Sequence, residues 1–201
     1  MCGILLYYSK KSYLKEDEIL SSLNSLNSIK HRGPDSEGAV VINTFTNKFN
    51  IINTYESPAD LNFESENDDD GYNLFIGHRR LKIIDLSNNA HQPMKFQNSW
   101  ISFNGEIYNY IELREKLKDN GYQFFSSSDT EVVLKSYHHW GEKCFELFNG
   151  MWSIIIWDGN NKKLVISNDR FGVKPLYNFE DNDYLVFTSE IRQIKSFKNF
   201  F

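Results

Sequence analysis

The sequence is poor in the features that mark secreted, membrane-spanning and metal-binding proteins. Its two cysteines, Cys2 and Cys144, are too few for a disulfide framework. It has no stretch of about 20 apolar residues that could span a membrane, and its first residues lack the charged-then-apolar order of a signal peptide. These absences favour a reducing cytoplasm and predict no membrane partner.

Positive charge and clusters of metal ligands are also scarce. The net charge of -5 at pH 7 argues against nucleic acid as the main partner. The five histidines are scattered, and the adjacent His138 and His139 would point in different directions on a helix, so no metal site is expected.

The remaining composition is that of a globular protein with a large core. The hydrophobic share of 40% and the charged share of 24% are ordinary, whereas the aromatic share of 15% favours a sheet-rich interior. A chain of 201 residues is long enough for one domain that buries roughly 70% of its unfolded surface.

The first residues, Met1-Cys2-Gly3-Ile4, contain a candidate nucleophile. If Met1 is removed, Cys2 carries a thiol and a free α-amine on adjacent carbons. An α-amine has a pKa of roughly 7.7 to 8.0, so at pH 7 a useful fraction is neutral and can act as a general base on the thiol. Cys2 as a small buried residue at the start of a strand is the alternative, and these four residues do not decide between the two.

Periodic patterns in the first half of the chain predict one helix and several strands. Three acids open a segment with Ile19, Leu23 and Leu26 at helical spacing, and Gly33-Pro34 ends it. An acidic stretch at 56–71 predicts a solvated loop. The pattern predicts a helix over 15–30, a hairpin of 38–43 with 48–53, and strands over 73–77, 81–86 and 99–103.

The second half predicts two helices followed by strands. Asn109 is the expected N-cap of the first helix and Asn120-Gly121 its end, while either Ser128 or Asp129 caps the second. Cys144 lies among apolar residues and is expected to be buried. Strands are predicted over 151–157, 162–167 and 184–188, which gives a layered α+β domain with largely antiparallel sheet.

Seven segments, in this order, resemble the glutaminase domain of class II glutamine amidotransferases, most closely in the asparagine synthetase branch: MCGI, HRGPD, GHRRLKIIDL, FNGEIYNY, SSDTEVVL, FNGMW and DRFGVKPLY. They cover nearly all of the chain. The resemblance implies that residues 1–201 form one such domain with the N-terminal-nucleophile hydrolase fold, in which two stacked antiparallel sheets lie between two layers of helices (α/β/β/α).

The resemblance also implies the chemistry. Cys2 would attack the side-chain amide of glutamine, giving a γ-glutamyl thioester and ammonia, and water would then release glutamate. The Asn104 side chain and the Gly105 backbone N–H would form the oxyanion hole, where one donor is typically worth ~10²–10³ in rate.

The same resemblance assigns substrate-binding residues. Arg80 would hold the α-carboxylate of glutamine, whereas Arg79, its neighbour in a strand, should face away. Asp129 and Glu106 would hold the α-ammonium group, and the segment through Ile84 would offer backbone groups. Four further motif residues are expected to be structural supports: Arg32, Asp35, Asp169 and Arg170.

A synthetase domain is missing from this sequence. Relatives of the asparagine synthetase type continue into an ATP-binding domain with an SGGxDS-type motif, and no such run occurs here. ATP and magnesium are therefore implied only for that absent domain, and no cofactor is expected in this one. The expected partners are glutamine and a synthetase domain or subunit that receives ammonia, with aspartate as the default acceptor.

Two observations bear on whether the domain acts alone. Phe197, Phe200 and Phe201 suggest an apolar surface to pack against. A non-catalytic glutaminase-like binding or regulatory subunit is the alternative function, but such a module usually loses one of the key residues. All five are present here: Cys2, Arg80, Asn104, Gly105 and Asp129.

Overall fold

In a computed structural model of the chain, residues 1–58, 66, 68 and 70–197 are described. They form ten strands and four α-helices. The strands are β1 (Gly3–Ser9), β2 (Ser36–Ile42), β3 (Phe49–Ile52), β4 (Leu74–Arg80), β5 (Met94–Phe96), β6 (Ser99–Ile107), β7 (Gly150–Asp158), β8 (Lys163–Asn168), β9 (Tyr177–Glu180) and β10 (Tyr184–Thr188). The helices are α1 (Glu16–Asn27), α2 (Tyr110–Asp119), α3 (Asp129–Trp140) and α4 (Cys144–Leu147).

The strands form two antiparallel sheets. The first has the order β3-β2-β4-β1-β10-β9 and the second the order β5-β6-β7-β8. Strand β1 lies in the middle of the first sheet, where Leu5 is opposite Gly77 of β4 on one side and Thr188 of β10 on the other. The N-terminal end of the chain is therefore held by strands distant in sequence.

Three apolar clusters separate four layers. One lies between the two sheets and includes Ile4, Ile76 and Trp157. A second joins the first sheet to Leu26 of α1, and a third joins the second sheet to helices α2 and α3. Both faces of β1 are buried, because Ile4 and Leu6 belong to the inner cluster while Leu5 and Tyr7 face α1. The arrangement is the expected four-layer α/β/β/α fold.

The helices lie where their sequence patterns predict them. Helix α1 begins with three acids, and Glu18 binds both the Lys15 backbone N–H at 2.9 Å and the Tyr7 hydroxyl at 2.8 Å. At the start of α3 the alternative between two caps is resolved, because the Ser128 hydroxyl accepts from Thr130 N at 2.9 Å. The Asp129 carboxylate is thus available for another role.

The prediction of a strand over 81–86 is wrong. Strand β4 runs through Arg80, and the following segment is irregular. The register explains the difference, since β1 begins opposite Arg79 and β2 begins opposite Arg80, so neither neighbour extends far enough to pair with residues 81–86. A segment without a partner strand cannot form a ladder, however apolar its pattern.

Other differences lie at sheet edges and chain ends. The pattern missed β5 and β9, which are only 3 and 4 residues long. Cys144 is fully buried, as expected. Phe197 packs inside the domain, with its ring stacked on Tyr7 at 4.8 Å between centroids. Phe200, Phe201 and much of the acidic stretch at 56–71 lie outside the described residues.

Candidate active site

A cavity lies where the start of β1, the end of β4, the edge of β6 and the first turn of α3 meet. It measures about 430 Å³, including the part that opens to solvent. Six of the seven residues assigned from the motifs line it: Cys2, Arg80, Ile84, Gly105, Glu106 and Asp129. Asn104, the seventh, is not in the wall but lies directly beside it in β6.

The thiol of Cys2 is held by the backbone of one residue. The Leu81 N–H points at Cys2 Sγ from 3.4 Å, and the thiol donates to the Leu81 carbonyl at 3.7 Å. Burial raises the pKa of the Cys2 thiol, although the Leu81 N–H, the N-terminal ammonium and Arg80 oppose this. A thiol with a raised pKa is mostly protonated at neutral pH, so it needs a base to react.

Two residues of the HRGPD turn fix the backbone around the Cys2 thiol. Arg32 Nε donates to the Cys2 carbonyl at 2.9 Å, and its Nη1 lies 3.2 Å from Glu190. Asp35 accepts from the Lys82 N–H at 2.8 Å and so fixes the residue after Leu81. Arg32 and Asp35 therefore have the supporting role that the motif implied.

The two adjacent arginines of β4 face opposite directions. Arg79 is 1% exposed and pairs with Glu37 at 2.8 Å and Glu56 at 2.6 Å, on the side away from the cavity. Arg80 lines the cavity, and its two terminal nitrogens donate to the carbonyls of Ser87, at 2.8 Å, and Asp85. These bonds use two of the five N–H groups of the guanidinium, so Arg80 can still receive a carboxylate.

The edge of β6 presents one backbone N–H to the cavity. Backbone groups of alternate residues in an antiparallel strand point to the same side. Those of the odd-numbered residues of β6 face β5, whose first residue, Met94, lies opposite Ile101. Beyond Ile101, side chains accept these N–H groups: Phe103 N donates to Gln92 Oε1 at 2.7 Å and Ile107 N donates to Asp129 Oδ2 at 3.1 Å. Gly105 lies between these two residues, whose N–H groups already have side-chain acceptors, and its own N–H is directed into the cavity.

Gly105 also has a steric reason to be glycine. A Cβ at this position would lie 2.3 Å from the Met151 carbonyl oxygen and 2.8 Å from the Trp152 Cα of β7. A side chain would therefore push β6 and β7 apart at the point where the N–H faces the cavity.

Asn104 faces the space between the two sheets. Ser102, two residues earlier on the same face of β6, donates to the Gly77 carbonyl of β4 at 3.1 Å. Asn104 is 1% exposed, and its Nδ2 has no hydrogen-bond partner among the described residues. A buried donor without an acceptor costs stability, so this amide is free to bind an oxygen atom that enters the cavity.

Two carboxylates assigned to the substrate, those of Asp129 and Glu106, share the cavity wall with Arg80. The pKa of Asp129 is raised to about 6, mainly by burial and also by the nearby Glu106 carboxylate, while the Ile107 N–H opposes the shift. Of the three acids in the cavity wall, Asp85 already accepts from Ser87 and Ser127. The other two, with the one arginine, match the two charges of an amino acid.

The loop after β4 is fastened to the loop before α3 by Asp85. Its carboxylate accepts from Ser87 N and Ser127 N, each at 2.8 Å, and from the Ser87 hydroxyl at 2.6 Å. Ile84 lies in the cavity wall although the segment is not a strand. Sequence reasoning assigned no role to Asp85, because an acid in an apolar motif gives no sign of which distant amides it binds.

The last motif supplies a structural support. The Asp169 carboxylate accepts backbone N–H groups from four residues: Trp152, Phe171, Val173 and Lys174. It thereby fastens the turn after β8 to β7. Arg170 is exposed at the surface.

Two kinds of feature are absent from the part of the chain that the structure describes. Within the described residues, no group of three or more His, Cys, Asp and Glu side chains is arranged to hold a metal ion. None of the helices there is long and apolar enough to cross a membrane.

Fold and cavity together define an amidotransferase of the N-terminal-nucleophile type. The chain belongs to the family of glutamine amidotransferase domains, whose model matches residues 65–200. This confirms the resemblance carried by the motifs.

Curated relatives point to one branch. "Asparagine synthetase [glutamine-hydrolyzing] 1" of Bacillus subtilis (strain 168) is 36% identical over 204 residues, covering 99% of this chain and 27% of that protein. "Putative asparagine synthetase [glutamine-hydrolyzing] 2" of Methanocaldococcus jannaschii is 35% identical over 217 residues, covering 98% of this chain and 36% of that protein. The chain thus spans about a third or less of these relatives.

A solved structure confirms the fold. Glutamine phosphoribosylpyrophosphate amidotransferase from B. subtilis, complexed with ADP and GMP, has a TM-score of 0.74 with this chain at 21% identity. The likeness covers 97% of this chain and 43% of that one.

Proposed function

We propose that this domain hydrolyses glutamine to glutamate and ammonia through a thioester on Cys2, and that the ammonia serves an amidation. One observation carries the proposal: a thiol, one arginine, two carboxylates and an inward-facing backbone N–H surround a single cavity. Arg80 binds the α-carboxylate of glutamine, while Asp129 and Glu106 bind its α-ammonium group. The side-chain amide then reaches Cys2.

The first half of the reaction makes the thioester. The Cys2 sulfur attacks the amide carbon, and the negative charge that develops on the amide oxygen is stabilised by Asn104 Nδ2 and the Gly105 N–H. The base takes the thiol proton and gives it to the leaving nitrogen, so that ammonia departs as the C–N bond breaks. Water then attacks the thioester carbon, which releases glutamate and restores the thiol.

The base in this proposal is the α-amine of Cys2, which exists only after Met1 is removed. With Met1 in place, the Cys2 nitrogen is an amide and cannot accept a proton. Met1 is 54% exposed, so a peptidase has access to it. The small side chain of Cys2 also suits such processing.

The ammonia acceptor is proposed from the relatives. Because they are asparagine synthetases, we propose aspartate as the acceptor and an ATP-dependent synthetase domain or subunit, with magnesium, as the partner. The reactive thiol suits a reducing compartment, so the cytoplasm is the proposed location.

An intact-mass measurement with peptide mapping tests the function. The purified chain is incubated with a glutamine-mimicking electrophile, and glutamate release is assayed alongside. Loss of Met1 with one label on Cys2, blocked by glutamine, is the expected result. A processed chain that neither takes the label nor releases glutamate would contradict the proposal.

The strand faces of β4 predict different effects for its two arginines. Arg80→Ala should raise KM for glutamine by roughly 30-fold or more, since loss of one partner of a buried ionic contact costs about 2–5 kcal/mol. Arg79→Ala should instead lower stability, by about 3–5 kcal/mol, because it leaves Glu37 without its buried partner. Kinetics and thermal unfolding of both variants check this, and the reverse pattern would refute the assignment.

The raised pKa of Asp129 predicts a pH dependence of binding. Above about pH 6 the carboxylate is ionised and can hold the ammonium group, whereas below it the group becomes protonated and that attraction is lost. The KM for glutamine should therefore rise as the pH falls from 7 to 5, as measured by initial rates.

Glu106→Gln provides the control for this pH effect. Removing the neighbouring negative charge should lower the pKa of Asp129, so the rise in KM should move to lower pH. If the profile stays in place, Asp129 is not the titrating group.

A further inference from the structure

The side chain of Gln92 joins two parts of the candidate site that are far apart in sequence. Gln92 is 4% exposed and lines the cavity. Its Oε1 accepts from Phe103 N at 2.7 Å, and its Nε2 donates to Thr130 Oγ1 at 3.1 Å. A backbone N–H can only donate, so the Phe103 contact fixes which end of the amide faces β6.

Each end of Gln92 is one residue away from a group with a proposed role. Phe103 immediately precedes Asn104-Gly105, which supply the two oxyanion donors. Thr130 immediately follows Asp129, the proposed ammonium anchor. Gln92 thus connects the oxyanion segment to the first turn of α3 from the Phe103 side, as the contact of Ile107 N with Asp129 does from the other side.

Strand β5 does not extend alongside the part of β6 that contains Phe103, so this part of β6 depends on the contact with Gln92. The pairing with β5 stops at Ile101, which lies opposite Met94, the first residue of β5. The Phe103 backbone is held by side chains instead: its N–H by Gln92 and its carbonyl by His78 Nε2 at 3.1 Å. Phe103 is 2% exposed, so without Gln92 water cannot readily replace the lost acceptor. The segment at Gly105 would then shift to find another partner.

We infer that Gln92 is a positioning residue that sets the distance between the oxyanion donors and Asp129. That distance corresponds to the stretch of substrate between its reacting amide and its α-ammonium group, which is one methylene longer in glutamine than in asparagine. Gln92 therefore contributes to rate and to the choice of glutamine over asparagine. The inference rests on the proposed glutaminase function.

Three variants separate the two ends of the connection. Gln92→Leu removes both hydrogen bonds and should lower kcat for glutamine by about 10²-fold, as for a misplacement of about 1 Å, and reduce the preference over asparagine. Gln92→Glu keeps the acceptor for Phe103, so it should restore most of kcat. It also adds a negative charge near Asp129, so the KM for glutamine should be higher than in the wild-type protein. Thr130→Val breaks only the α3 end and should act mainly on KM.

Asn73→Leu is the matched control. Asn73 is 2% exposed, accepts from Thr44 N and donates to Thr44 Oγ1, each at 2.9 Å, and lies at the start of β4. It should lower the melting temperature without changing kcat. If Gln92→Leu shows the same pattern as Asn73→Leu, Gln92 is structural only and the inference is overturned.

A second readout does not depend on turnover. In ¹⁵N-labelled protein, Gln92→Leu should shift the backbone amide signals of both Gly105 and Ile107, whereas a shift confined to Phe103 would overturn the positioning role. A wild-type domain that fails to hydrolyse glutamine would contradict the proposed function, and these shifts would still decide the role of Gln92. Should Gln92→Leu not fold, Gln92→Glu and Thr130→Val give the same kinetic and amide comparisons.

Discussion

Cys2→Ala should abolish glutamine hydrolysis and leave the domain folded. In hydrolases with an activated nucleophile, loss of that residue lowers kcat on the order of 10⁶-fold, and no other thiol lies in the cavity wall. Stability should change little, because the hydrogen bonds of the Cys2 thiol among the described residues are two long ones, both with the Leu81 backbone. Alanine is also small enough for Met1 to be removed.

Ammonia release, thermal unfolding and glutamine binding together test this expectation. The Cys2→Ala variant should still bind glutamine, since Arg80, Glu106 and Asp129 remain. Cys144→Ala is the control: Cys144 is fully buried in the cluster beneath α3, so its loss should lower stability and preserve turnover. Normal turnover by Cys2→Ala would end the assignment of the nucleophile.

Asn104→Leu should lower kcat by ~10²–10³ with little change in KM, because an oxyanion donor acts on the charge that appears only in the transition state. The effect on stability should be small or favourable. Asn104 Nδ2 is buried and has no hydrogen-bond partner within the part of the chain that the structure describes, and a buried unsatisfied polar group costs about 1–3 kcal/mol. Leucine has a similar volume and no such cost.

Asn43→Leu is the control with the opposite expectation. Asn43 is fully buried, and its side chain donates to the Gly71 carbonyl at 2.9 Å and accepts from Phe45 N and Thr46 N at 2.9 and 3.2 Å. Replacing it should lower the melting temperature and leave kcat unchanged. If Asn104→Leu lowers the melting temperature as much as Asn43→Leu does, together with kcat, the role of Asn104 is structural.

The sequence predicts the elements whose signals are local. Helix α1 has its acidic first turn and apolar stripe within 12 residues, and the hairpin of β2 and β3 is a short-range pairing. The motif residues converge on one cavity, as the family resemblance implies. The opposite faces of Arg79 and Arg80 follow from strand alternation alone.

The remaining features depend on pairings between distant residues. The segment after Arg80 has a strand-like composition, but only the register of β1 and β2 reveals that no partner strand reaches it. Gln92 and Asp85 act through backbone amides of Phe103 and Ser127. Asp85 belongs to the GHRRLKIIDL segment and Gln92 to none of the seven, but no local pattern shows which distant amide either residue binds, so both roles are visible only when the chain is folded.

The central position of β1 has a consequence for the order of events during synthesis. The strand that carries Cys2 is made first, yet it pairs with β10, and the Cys2 carbonyl is held by Arg32, which itself binds Glu190. Domains generally fold as units as the chain emerges. The Cys2 thiol therefore cannot take its position in the site before residue 190 has left the ribosome. A nascent chain therefore carries the proposed nucleophile from the start, and we expect it to release no ammonia until the whole domain has been made.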